Sequence, residues 1–249
     1  MANRYNIKEL ILYIEALFLA AGMDADKSAI VAQLLVEADL MGHTTHGIAQ
    51  APAYLSGLEN GLMLGTGNPI TVSDRGATIT WDGQRICGVW LTAMAIDLSV
   101  DRAKKYGTAT MAIRRSGHIA CLAAFLTRAT DKGCMIELAS SDPSIVSVAP
   151  YGGTKPAFTP NPIAIGIPTN KNPILIDISA SITTNGLTGR LFSEGKKLPG
   201  DWVQDKSGRA TNDPSVLFTE PPGTILPIGG KEYGHKGFGL ALMIEALTQ

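Results

Sequence analysis

The chain is divided by its prolines: Pro52 and Pro69 precede Asp142, and the other twelve of the 14 follow it. Proline lacks an N–H donor and clashes with the preceding helical turn, so long helices belong to the first part. The remainder reads as strands and ordered loops. With 249 residues, the chain fits one large α/β domain or two smaller ones.

Before Asp142 the apolar residues recur at helical spacing. Ile7, Leu10, Ile11, Ile14, Leu17 and Phe18 line one face, and Gly22 supplies a left-handed stop. Ile30, Val31, Leu34, Leu35 and Ala38 make a second stripe, with Asp24 or Asp26 as its cap. A third helix spans Pro52 to Glu59, followed by short strands at Pro69 to Val72 and Ala77 to Trp81. The pattern predicts helix from Val89 to Tyr106, strand from Thr108 to Ile113 and helix from Ile119 to Ala129. Ile163 to Ile167 and Ile174 to Ile178 are isoleucine-rich runs bounded by proline, as in buried strands, and Lys236 to Thr248 is a closing helix. Helix and strand alternating in this way argue for an α/β fold.

Composition removes several functions. Twenty-one basic and 22 acidic residues leave a net charge of −1, a poor match to nucleic acid. At 45% hydrophobic and 17% charged, the chain has enough apolar material for a sizeable core. Leu10 to Ala21 carries Glu15 and is about half the roughly 20 residues of a membrane span, so no membrane partner is expected. Met1 to Glu9 shows neither a basic cluster nor a cleavage site. Cys87, Cys121 and Cys134 form no CxxC, which suits reduced thiols in a cytoplasmic protein.

The four histidines, His43, His46, His118 and His235, all lie within a few residues of a glycine. His46 ends an amphipathic helix and precedes Gly47. His118 follows Arg114-Arg115-Ser116-Gly117 after a strand, where α/β enzymes place reactive groups. The two arginines can hold a carboxylate while the imidazole exchanges a proton. Asp39, His43 and His46 offer an alternative, a metal-dependent hydrolase site, although no HExxH signature is present.

Gly229-Gly230-Lys231-Glu232-Tyr233-Gly234-His235-Lys236-Gly237-Phe238-Gly239 is neither a P-loop nor a GxGxxG fingerprint. Its glycines, the start of the following helix and Lys236 nevertheless suit an anion. Asp177-Ile178-Ser179-Ala180-Ser181, at the end of a strand, offers groups for ribose or phosphate hydroxyls, or else Asp177 caps the next helix.

These segments together resemble the malate/L-lactate dehydrogenase family, non-Rossmann nicotinamide-dependent oxidoreductases that include ureidoglycolate dehydrogenase and diketogulonate reductase. The resemblance runs from about Ile7 to the last residue. It rests on Thr45-His46-Gly47 with Pro52 and Tyr54, Ser116-Gly117-His118, Ser141-Asp142-Pro143, Ala149 to Gly153, Asn161-Pro162, Asp177 to Ser181, Gly208 to Pro214, and His235 to Gly239. It implies a helical N-terminal region, residues 1–68, on the substrate and dimer side. An α/β nucleotide-binding region, residues 69–249, would carry a mixed sheet with flanking helices. The implied reaction is hydride transfer between NAD or NADP and a small 2-hydroxy or 2-oxo acid, in a homodimer.

The same resemblance puts the acid/base histidine at His46 or His118, with His118 favoured by its arginine neighbours. It assigns Thr45, Gln50, Tyr54, Arg114, Arg115 and Ser141 to substrate, and Ile176, Asp177, Ile178, Ser179, Ala180, Ser181, His235 and Lys236 to the cofactor. The chain departs from the family pattern at four places. Gln50 stands where the family has a carboxylate-clamping arginine, Thr44-Thr45 where it has Asp-Ser, Thr159-Pro160 where it has Gly-Thr, and Leu187 where lysine is common. Gln50 motivates a further alternative, a nucleotide-binding relative without catalysis. Family chains run on for roughly another third of a typical two-domain length, so a chain truncated within the apolar segment Leu240 to Gln249 is expected.

Overall fold

The structure is a computed structural model that describes residues 4–248. The readings that fall on residues 1–3 and on Gln249 lie outside the described residues. The fold is α/β, and the chain forms two compact units. The first comprises residues 1–136 and 165–175, and the second residues 137–164 and 176–249. The helical region 1–68 thus shares a unit with the strands that follow it. Among the described residues, no helix is long and apolar enough to cross a membrane.

In the first unit, α1 (Ile7–Ala20) and α2 (Ala25–Leu40) form where the apolar stripes predict them. Asn6 caps α1, its Oδ1 accepting from the N–H of Lys8 at 2.9 Å. At the start of α2, the Asp24 carboxylate takes Lys27 Nζ at 2.8 Å instead of capping, and that ammonium also lies 4.2 Å from the centre of the Trp90 ring. This is why a lysine is buried there. Phe18, Val31, Leu35, Phe125 and Leu126 are fully buried, and burial of each such side chain stabilises by about 2 kcal/mol.

Then come α3 (Ala51–Glu59), β1 (Ile70–Asp74), β2 (Thr78–Asp82), α4 (Gly88–Tyr106), β3 (Thr110–Arg114) and α5 (Ala123–Thr130). β1 pairs antiparallel with β2, and β2 pairs parallel with β3 through the α4 crossover. Ile79 and Trp81 of β2 pack on Ala95 of α4. The helix expected from Ile119 begins only at Ala123, because Ala120 has a left-handed backbone, φ 56°.

β4 (Ile136–Ala139), β5 (Pro162–Ile167) and β6 (Ile174–Ser179) form a sheet in that order, and the division into units falls within these strands. β6 is not the buried strand its isoleucines predict. Ile174, Ile176 and Ile178 are 53%, 41% and 45% exposed, and the half-buried face carries Leu175, Asp177 and Ser179. The strand lies at the sheet edge, and its period of two sends all three isoleucines to one face.

The second unit also holds α6 (Asn185–Ser193), the two-residue strands β7 (Val203–Gln204), β8 (Ala210–Thr211) and β9 (Thr224–Ile225), and α7 (Gly230–Thr248). The helix that the alternative reading of Asp177 anticipates is α6, but it starts eight residues beyond Asp177, and Gly186 and Gly189 within its nine residues hide its extent. Thr184 caps it, Oγ1 accepting from the Leu187 N–H at 3.2 Å. α7 begins six residues before the expected Lys236, so the Gly234-His235-Lys236-Gly237 motif lies inside the helix rather than ahead of it. The reason is close packing. A Cβ at Gly237 would sit 2.4 Å from the Ile228 nitrogen and 2.7 Å from the Ala180 carbonyl oxygen.

Candidate active site

The candidate site of the first unit is built where β2 and β3 end. Parallel strands leave polar groups at their C-terminal ends, the usual position for reacting groups in α/β proteins. β2 ends on Asp82 and β3 on Arg114. The two following loops are laced together by backbone bonds: Gly83 donates to Arg114, Arg85 to Arg115, and Gly117 to Ile86, at 2.7 to 3.1 Å. Gly88, the first residue of α4, presses against this lacing, and a Cβ there would lie 2.0 Å from the Gly117 carbonyl oxygen. Only glycine at position 88 allows that approach, and it fixes the residue before His118.

Asp82 is buried, and it receives both arginines. Arg115 makes a bidentate pair, Nε to Oδ1 at 2.8 Å and an Nη to Oδ2 at 2.6 Å, while Arg114 Nε reaches Oδ2 at 3.2 Å. The Arg115 guanidinium holds the Asp82 carboxyl far below the usual carboxylate range, opposed by burial. The two guanidiniums that the sequence directs at a substrate carboxylate are therefore engaged by Asp82 in this structure. They supply no ground for preferring His118 to His46.

His118 is held from two sides. The Tyr54 hydroxyl, on α3, lies 2.7 Å from its Nδ1 and 3.3 Å from its carbonyl oxygen. The Ala120 N–H donates to the same Nδ1 at 3.3 Å. Tyr54 is 4% exposed, and burial, reinforced by neighbouring Cys87, pushes its phenol well above the ordinary value, against the Ala120 backbone bond. Burial also lifts the Cys87 thiol to about 11, so both groups stay neutral. Tyr54, assigned to substrate from the resemblance, here touches the histidine.

His46 joins them. Its ring lies 6.0 Å from that of His118, centre to centre, at an interplanar angle of 24°. Its Nδ1 is 2.8 Å from Oγ1 of Thr45, in the loop after α2. The two histidines that the resemblance offers for the acid/base role, with His118 favoured from the sequence, are thus neighbours. Two imidazolium charges at that separation would repel by on the order of 3 kcal/mol at an effective dielectric of about 20.

Gln50 donates from Nε2 to the Thr45 carbonyl at 2.7 Å, tying the histidine loop to the start of α3. Asp39 accepts the Ile48 N–H at 2.8 Å and so closes the same loop. Among the described residues, Asp39, His43 and His46 do not bring ligand atoms together as a metal would require, which removes the geometric support for a hydrolase site.

Ser141 and the residues assigned to the cofactor lie in the second unit, except that β6, which carries Ile176 to Ser179, begins in the first. Ser141 Oγ accepts from Thr248 Oγ1 at 2.7 Å. Ser179 Oγ donates to the Ser181 carbonyl, and Ser181 Oγ to that of Thr183, at 2.9 and 2.6 Å. Ala180 is buried under α7, and Ile176 and Ile178 are exposed. The His235 ring lies 5.7 Å from that of Tyr151, and Lys236 Nζ lies 5.7 Å from the Tyr233 ring.

Sequence reasoning missed Asp82, Gly88 and Ala120. Asp82 had a signal, a carboxylate before glycine at a strand end, but the predicted strand stopped one residue short. Ala120 had none.

Residues 5–249 match the family described as malate/L-lactate dehydrogenase. L-sulfolactate dehydrogenase of Methanothermobacter thermautotrophicus is 30% identical over 246 residues, 98% of this chain and 69% of that protein. Hydroxycarboxylate dehydrogenase B of Escherichia coli is 30% identical over 246 residues, 98% of this chain and 67% of that protein. The crystal structure of malate dehydrogenase from Entamoeba histolytica superposes with a TM-score of 0.92 at 26% identity, over 98% of this chain and 70% of that one. The chain spans about two thirds of the length of the curated relatives it matches, 65% for the malate/(S)-sulfolactate dehydrogenase of Methanothermus fervidus.

Proposed function

The chain belongs to the malate/L-lactate dehydrogenase family of oxidoreductases, and from that membership we propose that the protein interconverts a small 2-hydroxy acid and its 2-oxo acid with NAD or NADP. The single observation that carries the reading is the cluster of Tyr54, His118 and His46, a pair of imidazoles 6.0 Å apart backed by a buried neutral phenol. Reduction of a carbonyl leaves an oxyanion, and an imidazole titrating near neutrality is suited to supply its proton.

The second unit fits a nucleotide on one independent ground. The Thr183 hydroxyl is buried without a hydrogen-bond partner, beside Ser179 and Ser181 and ahead of the α6 N-terminus. A buried hydroxyl left unsatisfied costs about 1 to 3 kcal/mol unless a ligand or water completes it. Asp177, Ser179, Ser181, His235 and Lys236 would hold the cofactor, which when bound supplies or accepts the hydride. The chain's own groups then do the rest: the histidine pair holds and moves the proton, Tyr54 keeps His118 in place, and Thr45 and Gln50 hold the loop that carries His46.

Titration with NADH and NADPH, followed by nucleotide fluorescence, tests the reading. Saturable binding of at least one, weakened in Thr183→Val, is expected. Binding of neither would overturn it.

A further inference from the structure

The geometry points to a binding site for a small oxyanion group at the ends of β2 and β3, formed by Arg114 with Arg115 beside it on the buried Asp82 carboxylate. The site uses none of the histidines and does not depend on the oxidoreductase reading.

Asp82 is satisfied without Arg114. Its Oδ1 accepts from the Gln84 N–H at 3.1 Å, from Gln84 Nε2 at 2.7 Å and from Arg115 Nε at 2.8 Å, and its Oδ2 accepts from an Nη of Arg115 at 2.6 Å. A carboxylate offers about four lone-pair sites, so these donors already fill it. One guanidinium also balances one carboxylate in charge. Arg114 comes in addition, at the longer distances of 3.2 Å from Nε and 3.1 Å from an Nη.

The backbone is bent to bring in this second cation. Consecutive residues of a strand point to opposite faces, so the side chains of Arg114 and Arg115 would part if β3 ran on. Instead Arg115 has a left-handed backbone, φ 53°, and both guanidiniums reach the same carboxylate. Gln84 and Arg85, in the facing loop, are left-handed too, at 52° and 61°. Strain of this kind persists only where the surrounding structure imposes it, and here it gathers two positive charges where the carboxylate needs one.

Both guanidiniums remain open to solvent. The side chains of Arg114 and Arg115 are 64% and 59% exposed, against 4% for Asp82. A guanidinium carries five N–H donors in a planar fork, and those that Asp82 leaves over, with the surplus charge, suit an oxyanion bound through paired N–H bonds. Among the described residues, Asp82 is the only acid within ion-pairing distance of Arg114. An exposed pair gains little in water, so Arg114 can turn to an incoming anion while Arg115 keeps Asp82. A phosphate, sulfonate or carboxylate group has the required chemistry, either as a free ion or as a second acidic group on the substrate. Arg115 precedes His118 by three residues, at most about 11 Å of chain, so one small molecule can span the two.

The test titrates protein labelled with 15N in its arginines, without cofactor, with inorganic phosphate at constant ionic strength. Arg114→Gln and Arg115→Lys assign the Nε–H signals. The Arg114 signal is expected to shift saturably. Phosphate affinity, read from the Arg115 signal, is expected to fall about tenfold in Arg114→Gln, the worth of one charge-assisted hydrogen bond, and less in Arg114→Lys. An Arg114 signal that does not move or moves without saturating, or an affinity unchanged in Arg114→Gln, would overturn the proposal. Steady-state kinetics with oxaloacetate and pyruvate separate the two sources. Phosphate competing with oxaloacetate alone, whose KM alone rises in Arg114→Gln, assigns the site to a second acidic group on the substrate. Saturable phosphate binding that leaves both KM values unmoved assigns it to a free anion. If the wild-type protein turns over no oxo acid, the oxidoreductase reading fails, while the titration still decides the anion site.

Discussion

The hydroxyl of Tyr54 lies 2.7 Å from Nδ1 of His118 and 3.3 Å from the carbonyl oxygen of the same residue. One buried side chain thus holds both the ring and the backbone of the histidine that follows β3. Tyr54→Phe removes this grip with little change in volume. Stability should fall by about 1 kcal/mol, the net worth of one hydrogen bond. Turnover should fall about tenfold with KM nearly unchanged, because the substrate is not what the phenol touches. A KM effect larger than the kcat effect would return Tyr54 to the substrate-binding role.

Gly88 and Gly117 set the position of that loop by contact. Gly88→Ala places a methyl group 2.0 Å from the Gly117 carbonyl oxygen, backbone that cannot swing aside. Overpacking of this kind costs about 1 to 3 kcal/mol and should displace His118, lowering urea midpoint and activity together. Gly239→Ala is the contrast. It lies within α7 with nothing within 4 Å of its added methyl group, and it should raise stability by about 0.5 to 1 kcal/mol.

Acid should remove stability through identifiable carboxylates. Lys197, and then Ser215, hold Asp213 at about 2, below its unfolded value of about 3.9. The unfolded chain therefore binds the proton first as pH falls. The contribution is complete above about pH 4 and is lost as pH approaches about 2. Urea midpoints measured across that window should drop less steeply in Asp213→Asn than in wild type. Equal slopes would show that the pair does not survive in solution.

Dialysis against a strong chelator should leave turnover unchanged, since the Asp39 carboxylate is taken by the Ile48 N–H. Activity lost on dialysis and restored by a divalent cation would instead favour a metal-dependent reaction.

Much of the first unit was legible in the sequence. The stripes of α1 and α2, and the alternation of β2, α4 and β3, are local periodicities that tertiary packing reinforces. The motif residues Thr45, His46, Tyr54 and His118, which the sequence scatters over more than seventy positions, come together in the structure. What sequence could not give were effects of packing between distant segments. Asp82 meets Arg114 and Arg115 across 32 and 33 residues, Gly88 meets Gly117, and Ala120 is forced left-handed with no glycine to announce it. In the second unit, propensity misled. Two glycines hid the extent of α6, the glycines before Phe238 concealed the first turns of α7, and the isoleucines of β6 proved to be an exposed face.

The most direct measurement is the absorbance of reduced nicotinamide when the protein is mixed with NADH or NADPH and a panel of small 2-oxo acids, with the hydroxy acid product quantified. Oxidation of the nucleotide by at least one oxo acid, one hydroxy acid formed per nucleotide consumed and the rate collapsing when His46 and His118 are both replaced by glutamine, is the predicted result. Nucleotide binding without turnover of any oxo acid would contradict the account.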